Sequence, residues 1–188
     1  EAIDALVKNK KDLFKPSSEN QEKLGRILVI SDSAHSIGAT YNNQYLGAIT
    51  DITVFSFHAV KNVTTAEGGA VCINLPKPFN NQEEYNYLRC FSLNGQTKDA
   101  FTKSKAGGWR YDIIYPGLKI NMPDILAAIG VAQLPEYFEK TLDKRVEIYE
   151  YYHKFFQYKA WADLYPYKSK SKTSSCHLYA LRIKDISE

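Results

Sequence analysis

The chain has 188 residues, 44% of them hydrophobic and 24% charged, with a formal net charge of +3. That is ordinary globular composition, enough for one good core or for one domain and part of another. So small a charge gives no reason to expect a nucleic-acid or membrane partner. Fourteen Tyr and nine Phe against a single Met predict an aromatic and β-branched core.

Three cysteines, Cys72, Cys90 and Cys176, are few and far apart. An odd count without C-x-x-C spacing argues against a disulfide framework and against a zinc site, so buried, reduced thiols and no metal are expected. The stretch from Glu1 to Leu13 is polar and unlike a signal peptide, and no apolar run approaches membrane-spanning length. A soluble, cytoplasmic protein is expected.

In chain order, Ile3, Leu6 and Val7 have helical spacing. Residues 11–25, with Pro16, two serines and an asparagine, read as a loop or mobile connection. Ile27 to Ile30 form a short continuous apolar run, as in a buried parallel strand, and polar residues follow abruptly in SDSAHSIGA. Further strands are predicted over Ile52 to Phe57 and Gly69 to Asn74, separated by the polar HAVKNVTTAEGG. In open α/β sheets ligands sit beyond the carboxyl ends of strands, where Asp32 and the segment from His58 to Lys61 fall.

A helix is predicted from Glu83 to Cys90, and residues 94–117 read as a long irregular loop. The segment PDILAAIGVAQL starts a helix at Pro123, with Ile125, Ala128, Ile129 and Ala132 on one face. Pro135 either opens a second helix, with Phe138, Leu142, Val146, Tyr149 and Phe156 at helical spacing, or kinks a single one. Lys168, Lys170 and Lys172 alternate with serines as in a solvated loop, and a lone β-like run spans His177 to Ile183.

The segments SDSAHSIGATYNNQYLG and DITVFSFHAVKNVTTAEGGAV resemble the DegT/DnrJ/EryC1/StrS family of sugar aminotransferases, with its D-x-A-H/Q-x-x-G and S-F-H-x-x-K-N-x-T-x-x-E-G-G motifs. NGQTKDAF, GGWRYDI, GLKINMPDILAAIGVAQL and HLY resemble later family blocks in the same order, so the likeness runs from about Ile27 to Ile183. It implies an α/β fold, part of the large domain of a fold-type I (aspartate aminotransferase-like) enzyme that uses pyridoxal 5′-phosphate (PLP). The sheet should be mostly parallel and flanked by helices, with further helices leading into a truncated small domain. On that scheme residues 1–120 belong to the PLP-binding large domain, 121–160 form connecting helices, and 161–188 begin an incomplete small domain. Family members are longer, so a part that cradles the phosphate is expected before Glu1 and most of the small domain after Glu188.

PLP chemistry needs a lysine to hold the aldehyde, a carboxylate to keep the ring nitrogen protonated, a flat cover for the ring and donors for the phosphate. By resemblance Lys61 is the Schiff-base lysine, which once freed moves the substrate proton. Asp32 matches the carboxylate facing the pyridinium, although Asp after a strand also serves as a helix N-cap. His35 matches the ring-stacking residue, a buried structural histidine being the other reading. Ser56 matches a phosphate donor. His58 belongs to the motif without a chemical step, Asn62, Thr64 and Thr65 shape the loop after the lysine, and Glu67 to Gly69 make a tight turn.

GLKINMPD matches a segment that reaches a neighbouring subunit's phosphate, making Lys119 and Asn121 candidate contacts in a homodimer. Leu118 and Ile120 stand where members carry tyrosines, and Asn94 where they carry histidine. The implied reaction moves an amino group, from glutamate, to a keto-sugar of a nucleoside-diphosphate sugar, of the 4-keto-6-deoxy type, for cell-surface polysaccharide. Two other readings are a PLP-dependent sugar dehydratase, which typically has histidine at the lysine position, and a non-catalytic scaffold that keeps the fold.

Overall fold

A computed structural model describes residues 2–98 and 109–185. The chain divides into two compact units, one of residues 1–29 and 73–123, the other of 30–72 and 124–188.

The first unit contains helices α1 (Ala2–Asn9), α2 (Glu19–Leu24) and α3 (Asn81–Phe91), with a 3-10 turn at Lys11–Leu13. Helix α2 lies where the composition predicts a loop, because its ends are capped. Ser18 Oγ accepts from the Gln21 N–H, Gln21 reaches back to the Ser17 N–H, and Gly25 closes the helix at φ 65°. Helix α3 brackets the predicted span, with Asn80 as its N-cap. Residues 99–108 of the predicted loop lie outside the described residues.

In the second unit the strands β1 (Ile30–Asp32), β4 (Ile52–Ser56) and β5 (Gly69–Ile73) form one sheet in the order β1-β4-β5. Strands β1 and β4 are parallel, with Ile30 opposite Ile52 and Asp32 opposite Val54. The Phe57 N–H donates to the Gly68 carbonyl, so the end of β4 meets the beginning of β5. The predicted apolar strand over Ile27 to Ile30 is therefore displaced: pairing starts only at Ile30 and runs into the polar Ser31 and Asp32. Ile27 and Ile30 are exposed rather than buried.

A hairpin missed from the sequence joins β2 (Thr40–Tyr41) to β3 (Gln44–Tyr45). Asn42 and Asn43 both take positive φ, as a two-residue primed turn requires, and asparagine tolerates that conformation. The predicted C-terminal strand shortens to β8 (Leu181–Ile183) and is not alone. It pairs antiparallel with β6 (Ala162–Leu164), while β7 (Lys172–Thr173) pairs with β2. Lys168, Lys170 and Lys172 are exposed, as a solvated turn predicts.

Pro135 kinks nothing into two helices. Helix α4 (Asp124–Glu136) passes through it into a π-helical segment, Tyr137–Thr141, and on into α5 (Leu142–Phe156). Proline has no N–H to give the Val131 carbonyl, so the i→i+4 ladder is interrupted there and the wider π turn follows. Pro123 precedes the helix rather than starting it. The face expected to be buried points out, Ile125 being 80% exposed, while Gly130 and Tyr137 are buried. Helix α4 is apolar nearly all round, so spacing alone could not choose its inner face. On α5 the buried residue is Tyr149, which the spacing did include.

The core sits in this second unit: Ala39, Val63, Tyr137, Tyr149, Ala162 and Cys176. Aromatic side chains dominate it by volume, as composition predicts. Cys176 is buried and reduced, whereas Cys72 and Cys90 are only half-buried.

Candidate active site

Side chains alternate along a strand, so the pairing of β1 with β4 fixes which of them share a face. Asp32 lies opposite Val54, and Ser56 is two residues beyond Val54. Asp32 and Ser56 therefore project from the same face, at the carboxyl ends of neighbouring parallel strands.

Asp32 is exposed, and its Oδ1 accepts from the Ala34 N–H at 3.0 Å. No helix follows it, the next element being β2, so it is not an N-cap. The turn instead fixes one carboxylate oxygen and leaves the other open. Ser56 Oγ accepts from the His58 N–H at 3.3 Å, which keeps its own O–H available as a donor.

The loop after β4 carries Lys61 and is closed on itself. The Thr65 N–H donates to the Phe57 carbonyl at 2.9 Å and the Lys61 N–H to the His58 carbonyl at 2.9 Å. Helix α4 grips the same loop: the Gln133 amide donates to the Thr64 carbonyl at 2.6 Å and accepts from the Thr64 N–H at 3.2 Å. Val63 and Thr65 are each 1% exposed and anchor it. Lys61 itself is half-buried.

Two turn residues differ in detail from expectation. Ala66 takes the left-handed conformation, φ 64°, in the turn assigned to Glu67, Gly68 and Gly69. Gly69 is needed for close approach, since a Cβ there would stand 2.6 Å from the Phe55 carbonyl oxygen. His58 Nε2 lies 3.7 Å from Glu67 Oε1, an exposed pair of little energetic weight.

His35 is exposed, which sets aside the buried structural reading. Its ring lies 4.3 Å from that of His177, tilted by 39°, and its carbonyl accepts from Ser175 Oγ at 2.8 Å. Burial, with His35, Arg145 and Lys61 nearby, holds the His177 pKa below the ordinary histidine value. His35 and His177 are thus neighbours. His177 and Tyr137 were not assigned a role from the sequence, and Asn62, expected only to shape the loop, bonds to both. The one available signal was the HLY block that His177 opens.

Lys119 and Asn121 belong to the other compact unit. Both are exposed, in a segment sewn to residues 91–95 by backbone hydrogen bonds, among them Leu118 N–H to Phe91 O and Ile120 N–H to Ser92 O. Among the described residues no cluster of three His, Cys, Asp or Glu side chains could hold a metal ion. Nor is any helix there long and apolar enough to cross a membrane.

A model of the DegT/DnrJ/EryC1/StrS aminotransferase family matches residues 21–188. The chain belongs to this family. It is 32% identical over 162 residues to the UDP-4-amino-4,6-dideoxy-N-acetyl-beta-L-altrosamine transaminase of Campylobacter jejuni, covering 86% of this chain and 39% of that protein. It is 33% identical over 160 residues to the spore coat polysaccharide biosynthesis protein SpsC of Bacillus subtilis, covering 85% and 39%. Among solved structures it superposes on the putative sugar aminotransferase Spr1654 from Streptococcus pneumoniae, PMP-form, with a TM-score of 0.88 and 41% identity. That superposition covers 98% of this chain and 46% of the other. The α/β fold is therefore the fold-type I arrangement of a DegT/DnrJ/EryC1/StrS member, and the chain spans about two fifths of the length of the curated relatives it matches.

Proposed function

We propose that the whole protein is a PLP-dependent aminotransferase that moves an amino group, from glutamate, to a keto-sugar of a nucleoside-diphosphate sugar, of the 4-keto-6-deoxy kind. The observation that carries this reading is the shared face of Asp32 and Ser56 at the carboxyl ends of β1 and β4, with the Lys61 loop immediately beyond. The residues present fit the cofactor: a carboxylate, a hydroxyl donor, a primary amine and two imidazole rings gather in one compact unit.

When bound, PLP supplies an aldehyde for the lysine amine and a ring that accepts electrons. In this reading Lys61 is the catalytic residue: its amine would hold the cofactor's aldehyde and would carry the proton of the donor's amine-bearing carbon. Asp32 holds a proton on the ring nitrogen by opposite charge. Ser56 would donate to the phosphate, and His35 would cover the ring. Lys119 or Asn121 reaches a neighbouring subunit's site in a cytoplasmic homodimer. Residues 1–120 serve the PLP-binding large domain, 121–160 connect, and 161–188 open the small domain.

The test uses the full-length protein loaded with PLP. Borohydride should fix the cofactor onto a peptide containing Lys61, and Lys61→Ala should abolish both this label and the visible absorption band. A normal label in the alanine variant would overturn the assignment. Glutamate should bleach the band and a keto-sugar nucleotide should restore it, whereas a spectrum silent to both would favour a scaffold. The Lys61→Ala protein should lose at least about 10²-fold in activity, the low end of what a positioned acid–base group supplies.

A further inference from the structure

Asn62, next to the lysine, uses its amide on three sides. Its Nδ2 donates to Tyr137 Oη and to the Ser175 carbonyl, each at 3.0 Å, and its Oδ1 lies 2.7 Å from His177 Nδ1. The partners decide which way this amide points. A carbonyl can only accept, so Ser175 requires a donor. Tyr137 already gives its hydroxyl proton to the Ile37 carbonyl at 2.7 Å, and therefore accepts from Asn62. Both amide hydrogens are occupied, and Oδ1 is left as an acceptor. The proton between Asn62 and His177 must then sit on His177 Nδ1.

An imidazole carrying its one proton on Nδ1 keeps a lone pair on Nε2. Free histidine prefers the opposite tautomer, so the arrangement is imposed by the fold. The His35 ring lies 4.3 Å away, tilted by 39°, and the cationic Arg145 and Lys61 add their charge to the surroundings. All oppose a second proton, and burial opposes it further. The other end of the network is equally fixed, since Tyr137 is 2% exposed and its hydroxyl is fully used.

We propose that Asn62, the residue that follows Lys61, is a positioning residue that locks His177 in the Nδ1–H tautomer and leaves its Nε2 lone pair as a hydrogen-bond acceptor. The catalytic meaning of this lock rests on the Lys61 reading; the tautomer itself does not.

The experiment is a ¹H–¹⁵N spectrum of full-length, cofactor-free protein labelled with ¹⁵N-histidine, at pH 8. His177 signals are identified by their loss in His177→Gln. The wild-type ring should show Nδ1 protonated and Nε2 bare. Asn62→Ala should move the proton largely to Nε2, while Asn62→Asp, which keeps an acceptor oxygen, should hold it on Nδ1. In the loaded enzyme kcat should fall about tenfold in Asn62→Ala, a modest share of what misplacement at an active site can cost.

A wild-type His177 with its proton on Nε2 overturns the proposal, and so does a tautomer unchanged in Asn62→Ala. An altered tautomer with unchanged kcat overturns the positioning role. If the alanine variant fails to fold, the wild-type spectrum still decides the tautomer. Failure of the Lys61 reading has a separate signature: no borohydride label on Lys61, with the His177 tautomer as stated.

Discussion

The loop between β4 and β5 and the segment around Lys119 both carry residues picked from the sequence, but they are built in opposite ways. In the first, side chains do the fastening: Asn62, Gln133 and Tyr137 tie the loop to residues distant in sequence, and Val63 and Thr65 are buried. In the second, the backbone does it. Residues 117–121 are held to 91–95 by main-chain hydrogen bonds, and Lys119 and Asn121 remain exposed. Side-chain fastening fixes the chemistry of a loop's own residues. Backbone fastening leaves the side chains free for something else, which suits a segment proposed to serve another subunit.

The strongest way to break this contrast is at Gly117. A Cβ there would stand 2.2 Å from the Gly95 nitrogen and 2.5 Å from the Phe91 carbonyl oxygen. Gly117→Ala should therefore destabilise the protein by about 3 kcal/mol, at the upper end of overpacking, read as a lowered urea midpoint. An unchanged midpoint would mean that the backbone seam is not what holds this segment. Next comes Tyr137→Phe. It strips the Ile37 carbonyl and the Asn62 amide of a buried partner at constant ring volume, an expected loss of about 2 kcal/mol. A neutral result would show that water replaces the hydroxyl and that the loop is not fastened from this side. The smallest effect belongs to Lys119→Ala, which should change stability by less than about 0.5 kcal/mol. In the proposed homodimer it should weaken PLP retention on dialysis, and an alanine variant that unfolds earlier instead would give Lys119 a role within its own unit.

The sequence was most legible where chemistry and geometry coincide. Polar residues interrupt apolar strands at the ends where Asp32 and Lys61 lie, the family resemblance singled out these two and Ser56, and the sheet puts Asp32 and Ser56 on one face. It was least legible where several faces looked alike. In α4 apolar residues surround the axis, and the inner side is selected by tertiary contacts, Gly130 against Thr65 and Gln133 bonded to Thr64. Helix α2 was hidden because six residues of weak apolar pattern depend on their caps, Ser18 and Gly25, more than on periodicity. The strand at Ile30–Asp32 was misplaced because its register is set by β4, a partner some twenty residues away. His177 escaped because its tie to Asn62 spans 115 positions, and no local pattern encodes such a pair.

The π turn after Pro135 also sets the rotational phase of everything beyond it. A π turn holds roughly one residue more than an α turn, and one residue is about 100° of screw. It acts as a gear offset: Tyr137 faces inward at one end and Tyr149 at the other, although an unbroken 3.6-residue count from the start of α4 would not keep both in mesh. Removing one residue between 138 and 141 should thus relax the turn to ordinary α-helix while leaving the two flanking helices aligned as they are. A substitution of Pro135 alone would restore a hydrogen bond but leave the surplus residue with nowhere to go.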